Sequence, residues 1–328
     1  MDFEKLFEQF AQLKVAVIGD VMLDTYWWGN VHRISPEAPV PVVEVTKKEH
    51  RIGGAANVAL NVQSLQAGVS MLSVLGKDDD GDQLIKLLQQ SNINTKYLVQ
   101  SEKRITTNKI RIIGRNQHMM RLDAELAEDI IKDDEDKLLY AVEHLIAAES
   151  PDVMIFEDYN KGVLTIRVIE KVIALCKHHN ILTAVDPKRK NFLAYKGVDI
   201  FKPNFKEVKE GLNILADEAN LNVLKDMHVV LQDKLGHKVS FITLSEKGVF
   251  YQQDNKAVII PTHIRAVADV SGAGDTVIAV AALVFAVTKD VKQMAEVANI
   301  AGGLVCEEVG TIAIDKDKLI TECRHLLT

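Results

Sequence analysis

The chain has 328 residues, a formal net charge of −7 and a pI near 5.8. That length suits one large α/β unit, and the acid excess argues against nucleic acid as the main partner, because phosphate-backbone binding relies on surplus Lys and Arg. Cys176, Cys306 and Cys323 lie far apart with no C-x-x-C pair, so neither a zinc cluster nor a disulfide framework is suggested. The N-terminal MDFEKLFEQFAQLK is charged and amphipathic, unlike a secretory signal, and no apolar run reaches transmembrane length. The expectation is a cytoplasmic protein with small-molecule partners, no nucleic acid and no membrane.

In chain order, Lys14 to Asp20 is a short β-branched run ending in Gly-Asp, the pattern of a buried parallel strand with a polar tip. Ligands of open α/β sheets gather at such tips, which makes Asp20 and Asp24 candidates for sugar hydroxyls, with loop capping as the alternative use. From Thr25 to Ile52 the α/β alternation breaks, with Tyr26-Trp27-Trp28, a proline-spaced stretch and the alternating run Val42 to Val45. A second such segment runs from Thr106 to Asp123 around Gly114-Arg115-Asn116, and the two together predict a small sheet covering a cleft. Its exposed apolar face would need burial, most simply against a second copy of itself. The insertions are placed at about residues 22–52 and 97–123 of a single domain spanning 1–328.

Between them, Gly53-Gly54-Ala55-Ala56-Asn57 opens a helix with small residues, either for close backbone approach to a ligand or for tight packing. Ser70 to Gly76, Asp79 to Ser91 and Tyr97 to Gln100 then read as strand, helix and strand. In the second half the rhythm is cleaner: strand Val153 to Phe156, helix Thr165 to His179, strand Ile181 to Val185 with charges Asp186 to Lys190 at its tip, and Asp199 to Lys202 before another helix. Asn204 and Glu207 open that helix three positions apart, which suits a capping box and equally an oxygen face for Mg²⁺ and its waters. Ser240 to Leu244 is a strand turning through Ser245 to Gly248 into Val249 to Gln252.

The most informative stretch is Ala268 to Thr276, with Ser271-Gly272-Ala273-Gly274-Asp275 directly before a helix-length apolar run. The glycines and the helix N-terminus favour an anion. A carboxylate in that first turn would repel a phosphate unless Asp275 had a separate task, such as taking a proton from an attacking hydroxyl. Rival classes lack their motifs: there is no G-x-x-x-x-G-K-[ST], no G-x-S-x-G, and no glycine fingerprint at the first βα turn. The layout reads as α/β, a doubly wound and mostly parallel sheet with a small β-sheet lid.

Taken together, Gly53-Gly54 with Asn57, the N-x-x-E at Asn204 to Glu207, and D-x-x-G-A-G-D at Asp269 to Asp275 occur in the order and approximate spacing of the ribokinase-like (phosphofructokinase-B) carbohydrate kinases, which the chain resembles over nearly its whole length. Within that family Gly19 to Asp24, Arg33 to Pro41, Asp158-Tyr159-x-Lys161-Gly162 and Gly274 to Ile278 look like the D-glycero-β-D-manno-heptose-7-phosphate kinases of lipopolysaccharide precursor synthesis. Similar bifunctional proteins carry an adenylyltransferase domain with an H-x-G-H motif, which this sequence lacks, so only the kinase step is implied.

The resemblance implies Asp275 as catalytic base, with Gly272, Ala273 and Gly274 as the anion hole. It implies ATP at Asn204, Phe205, Lys206, Glu207, Ser245, Glu246, Gly248 and Asn299, with Mg²⁺ held at Asn204 and Glu207 through water and room for a monovalent cation. Asp20, Asp24, Gly53, Gly54, Asn57 and Asp158 are expected at the sugar, with Lys161, Arg111 and Arg115 as candidates for its phosphate. A homodimer through the lid is the expected assembly. Another sugar kinase of the family is the alternative, and a non-catalytic sugar- or nucleotide-binding regulator remains open. Two positions depart from the family's habit: Ser271 replaces a common threonine, and Glu157 stands where a small residue usually precedes Asp-Tyr.

Overall fold

The computed structural model describes residues 2–114, 117–263 and 265–327. The chain opens with helix α1 (Phe3–Phe10), capped by the Asp2 side chain and burying Phe3, Leu6, Phe7 and Phe10 on one face. Strand β1 (Lys14–Gly19) follows, its apolar residues buried as a parallel central strand requires. Two long strands, β2 (Val21–Ile34) and β3 (Pro41–Gly54), then leave the core as an antiparallel pair. Helix α2 (Ala55–Ser64), strand β4 (Gly68–Gly76), helix α3 (Asp79–Gln90) and strand β5 (Leu98–Ser101) return the chain to α/β order.

Strands β6 (Thr107–Gly114) and β7 (Gln117–Ala124) form the second excursion. The second half runs α4 (Lys132–Glu149), β8 (Val153–Glu157), α5 (Ile166–His178), β9 (Leu182–Asp186), β10 (Ile200–Phe201), α6 (Phe205–Leu212) and α7 (Leu221–Leu235). It ends with β11 (Val239–Thr243), β12 (Val249–Gln253), β13 (Lys256–Ile260), α8 (Ala273–Thr288), α9 (Val291–Val305) and α10 (Lys316–Leu327).

The main sheet has nine strands in the order β13-β12-β11-β10-β9-β8-β1-β4-β5, parallel except where β12 and β13 turn back at one edge. Helix α8 is apolar nearly all round because it is buried on one face of this sheet against α2 and α9, with eleven consecutive residues buried from Asp275 to Phe285. A second cluster, built from α4, α5 and α7, fills the opposite face. The doubly wound reading therefore holds.

The lid is a separate four-stranded sheet, β3-β2-β6-β7. Its second contribution starts at Thr107, later than the expected residue 97, because Leu98–Ser101 pairs in parallel with β4 and so belongs to the main sheet. Register places Arg51, Asp24, Lys109 and Asp123 in one row across the lid, and Glu49, Tyr26, Arg111 and Arg121 in the next row on the same face. That face looks into the cleft: the Arg51 guanidinium donates to the Val309 carbonyl, in the loop after α9.

Candidate active site

Asp275 sits in the first turn of α8 and is only 4% exposed. Both its oxygens are held: the Asn57 amide donates to Oδ2 at 2.7 Å and the Tyr159 hydroxyl to Oδ1 at 2.7 Å. Asn57 is itself steadied by Asn61, whose amide donates to the Asn57 carbonyl while its Oδ1 accepts from Thr276. Helix α2, through Asn57, and the loop after β8, through Tyr159, thus fix the carboxylate from both sides. Burial pushes the Asp275 carboxyl up to about 6, against the pull of the Asn57 and Tyr159 donors. It is then ionised near neutrality yet basic enough to accept a hydroxyl proton.

In front of it, Gly272 adopts φ +79° as the N-cap of α8, a left-handed conformation in which any Cβ would also lie 2.9 Å from the Asn57 amide. The first-turn N–H groups that follow, at Ala273 and Gly274, belong to a helix start that lacks intrahelical acceptors. Ala273 N donates instead, weakly, to the Val270 carbonyl at 3.3 Å. A Cβ at Gly274 would stand 3.7 Å from Lys202 Nζ and 3.5 Å from Asp186 Oδ2, so the helix start faces a buried ion pair. Lys202 is 2% exposed and meets Asp186 at 2.8 Å. Lys202 thus brings an ammonium, paired with Asp186, to the start of α8, and in sequence it stands only as the residue before Pro203. Burial raises the Asp186 carboxyl, but Lys188 and Lys202 outweigh it and leave the pKa below its ordinary value.

At the expected nucleotide end, Asn204 and Glu207 form the capping box in full: Asn204 Oδ1 accepts from the Glu207 N–H and Glu207 Oε2 from the Asn204 N–H, both at 2.8 Å. Glu207 Oε1 also accepts from Lys188 at 2.6 Å. No group of three or more His, Cys, Asp or Glu side chains converges as a metal cage among the described residues. A Mg²⁺ brought in by ATP fits this donor set as a largely hydrated ion, which takes one or two carboxylates besides phosphate oxygens. A parallel bridge between Asn204 and Thr243 sets the turn Ser245–Lys247 beside α6. Gly248 there has φ +94° and no room for a Cβ against the Ile260 carbonyl. Asn299 donates to the Pro261 carbonyl at 2.9 Å, Lys209 lies over the Phe205 ring, and Lys206 and Glu246 are exposed.

Among the residues expected at the sugar, Gly53 lets Asp24 come close, since a Cβ there would stand 2.4 Å from Asp24 Oδ2. Asp24 Oδ1 meanwhile pairs with Arg111 at 2.6 Å. Gly54, at φ +61°, caps α2. Asp20 takes the loop-capping alternative: its buried carboxylate accepts from the backbone N–H groups of Tyr159, Lys161 and Val163, at 2.8, 3.0 and 3.0 Å. Asp158 likewise turns to its own loop, taking the Tyr195 hydroxyl and the Asn160 N–H, and burial pushes its carboxyl up to about 6. These two carboxylates hold the loop that presents Tyr159. Lys161 pairs with Glu125 at 2.7 Å, and Arg115 lies outside the described residues.

Tyr159 is the partner of Asp275 that sequence reasoning passed over inside its own motif. Replacing it with Phe removes one donor that lowers the Asp275 pKa, so the ascending limb of kcat/KM against pH should move to higher pH while kcat falls about 10- to 100-fold. A Phe variant with an unmoved limb and natural kcat would reduce the hydroxyl to packing. Glu157, the odd residue before the motif, is fully buried with neither oxygen hydrogen-bonded. Burial, then the charges of Asp186 and Asp275, push its carboxyl well above the usual range, which favours the proton-bearing form.

A buried carboxylate in the first turn of a helix, with a buried lysine beside it, is an arrangement that suits phosphoryl transfer to a hydroxyl. The chain belongs to the pfkB family of carbohydrate kinases, whose pattern matches residues 12–318, and it is a carbohydrate kinase. It is 37% identical over 330 residues to the Bifunctional protein HldE of Geotalea uraniireducens, covering 99% of this chain and 66% of that protein. To the protein of the same name from Aliarcobacter butzleri it is 39% identical, covering 93% and 63%. The chain thus spans a little under two thirds of the length of these relatives. Among solved structures, phosphofructokinase-2 from Escherichia coli in complex with potassium superposes with a TM-score of 0.80 at 16% identity, covering 96% of this chain and 99% of that one. Ribokinase from Arabidopsis thaliana complexed with ribose and ATP gives 0.73 at 16%, covering 94% and 98%. The likeness to these two establishes the ribokinase-like fold.

Proposed function

We propose that the protein transfers the γ-phosphate of ATP, with Mg²⁺, to the anomeric hydroxyl of D-glycero-β-D-manno-heptose 7-phosphate, giving the 1,7-bisphosphate for ADP-heptose and lipopolysaccharide core synthesis in the cytoplasm. The observation that carries the chemistry is Asp275, its two oxygens fixed by Asn57 and Tyr159 beside the anion hole. The heptose is supported by the similarity to HldE over the kinase-length portion of those proteins. Phosphoryl transfer needs little covalent help, so positioning and charge stabilisation dominate. Asp275 aligns and deprotonates the acceptor, while Lys202 and the α8 N-terminus meet the transferring phosphate. Incubation with ATP-Mg²⁺ and, separately, heptose 7-phosphate, fructose 6-phosphate and ribose tests this by ADP release. Turnover confined to fructose 6-phosphate or ribose would move the substrate.

The assembly we propose is a homodimer through the lid. Trp27, Ile112 and Met120 align on the face away from the cleft, with Ile110 and Leu122 beside them, and Met120 is 56% exposed. Like faces bury such a patch best. Sedimentation equilibrium should give twice the chain mass, and a monomer at micromolar concentration would exclude this pairing.

A further inference from the structure

Four of the cations around the cleft have carboxylate partners. Arg111 pairs with Asp24 and Arg51 with Glu49, each at 2.6 Å, Lys161 pairs with Glu125 at 2.7 Å, and Lys188 with Glu207 at 2.6 Å. Lys109 differs. It stands between Asp24 and Asp123 in the lid row that faces the cleft, yet its ammonium makes no hydrogen bond and no ion pair with any described residue. Its one close partner is aromatic: Nζ lies 5.6 Å from the centre of the Tyr159 ring, and the hydroxyl of that ring holds Asp275. Burial pushes the Lys109 pKa down, and the charges of Lys161 and Arg111 add to this against the opposing pull of Asp24 and Asp123.

A half-buried ammonium without an anion is a costly arrangement, which a dianionic ligand would relieve. We propose that Lys109 grips the phosphate already carried by the sugar substrate. This rests on the reading that the substrate is a sugar phosphate. With the acceptor hydroxyl at Asp275, the far end of a phosphorylated sugar reaches across Tyr159 towards the lid, where Lys109 waits. Lys161 and Arg111, two of the three residues expected at this phosphate, keep their own carboxylates and instead hold positive potential around it. The lysine ammonium meets phosphate as a point charge, and an arginine at the same position would carry the same charge to it.

The test is steady-state kinetics on the natural chain, Lys109→Met and Lys109→Arg, varying heptose 7-phosphate and ATP separately. Unphosphorylated D-glycero-D-manno-heptose is included as a third substrate, and thermal melting of each variant checks the fold. Lys109→Met should raise the KM for heptose 7-phosphate about 10- to 100-fold, the loss expected for one hydrogen bond to a charged group. The KM for ATP should stay within about twofold, Lys109→Arg should restore most of the affinity, and the unphosphorylated sugar should show no difference between natural and Met chains. An unchanged KM for heptose 7-phosphate in Lys109→Met, or an equal loss on the unphosphorylated sugar, overturns the assignment while leaving the kinase reading intact. A natural chain that turns over only unphosphorylated sugars overturns both.

Discussion

Asp275→Asn should lower kcat by about 10²- to 10⁴-fold, some 3–5 kcal/mol of transition-state stabilisation, because an amide cannot take the acceptor proton. The substitution is nearly isosteric at a site that is 4% exposed, so the fold should be kept. One of the two donors, Asn57 or Tyr159, would then face an NH₂ group. The Tyr159 hydroxyl can rotate to accept, whereas the Asn57 amide would have to flip, so a small loss of stability is expected alongside the large loss of rate. ATP should bind as well or better, since a negative charge near its γ-phosphate is removed. The pH profile adds a sign. In the natural chain kcat/KM should rise with pH through about 6, as the Asp275 carboxyl ionises, and that limb should vanish in the variant. A loss of less than tenfold, or an unchanged limb, would take the base role away from Asp275.

Asp20→Ala is expected to cost about 3–5 kcal/mol of folding stability without any ligand present, because it strands three backbone donors of the 159–163 loop, one buried and two half-buried. Had Asp20 served sugar hydroxyls alone, removing it would weaken binding and leave the empty protein as stable as before. The same loop carries Gly162 at φ +85° against the Glu128 carbonyl, so it has little freedom to settle elsewhere. Once loosened, it should release Tyr159 from Asp275 and lower kcat as well. Denaturant unfolding of the ligand-free variant, read with and without sugar phosphate, separates the two roles. Natural stability with a raised KM would restore the sugar assignment.

Much of the site was legible because its chemistry is local in sequence. The Gly272 to Asp275 turn, the Asn204 and Glu207 spacing and the Gly53-Gly54 approach each carry a backbone or capping requirement that only certain residues meet. The structure bears out the Asn204 and Glu207 capping box, and at Gly53 the close neighbour is Asp24. Less legible were partners supplied from far along the chain. Tyr159 reaches Asp275 across 116 residues and Lys202 meets Asp186 from the neighbouring strand tip, so no spacing rule reveals either. Asp20 and Asp158 left two uses open for a related reason. An acid at a strand tip reads the same whether its lone pairs go to a ligand or to a loop, and here the loop's own N–H groups fill them.

Among the elements, α4 and α7 were not singled out in the sequence. In both, the buried residues are spread along polar stretches that also carry exposed charges, so the helical stripe is thin. The lid boundary moved for the opposite reason. Leu98–Ser101 has the short, polar-edged look of an excursion strand, but its partner is β4, and only pairing decides which sheet a four-residue strand joins.

The product itself gives the most direct test. Phosphorus NMR of the reaction of ATP-Mg²⁺ with heptose 7-phosphate should show a new anomeric phosphate signal, proton-coupled to C1, beside the retained 7-phosphate, with one ADP per product. A second phosphate on any other carbon, or no transfer to the heptose while another sugar is phosphorylated, would contradict the account.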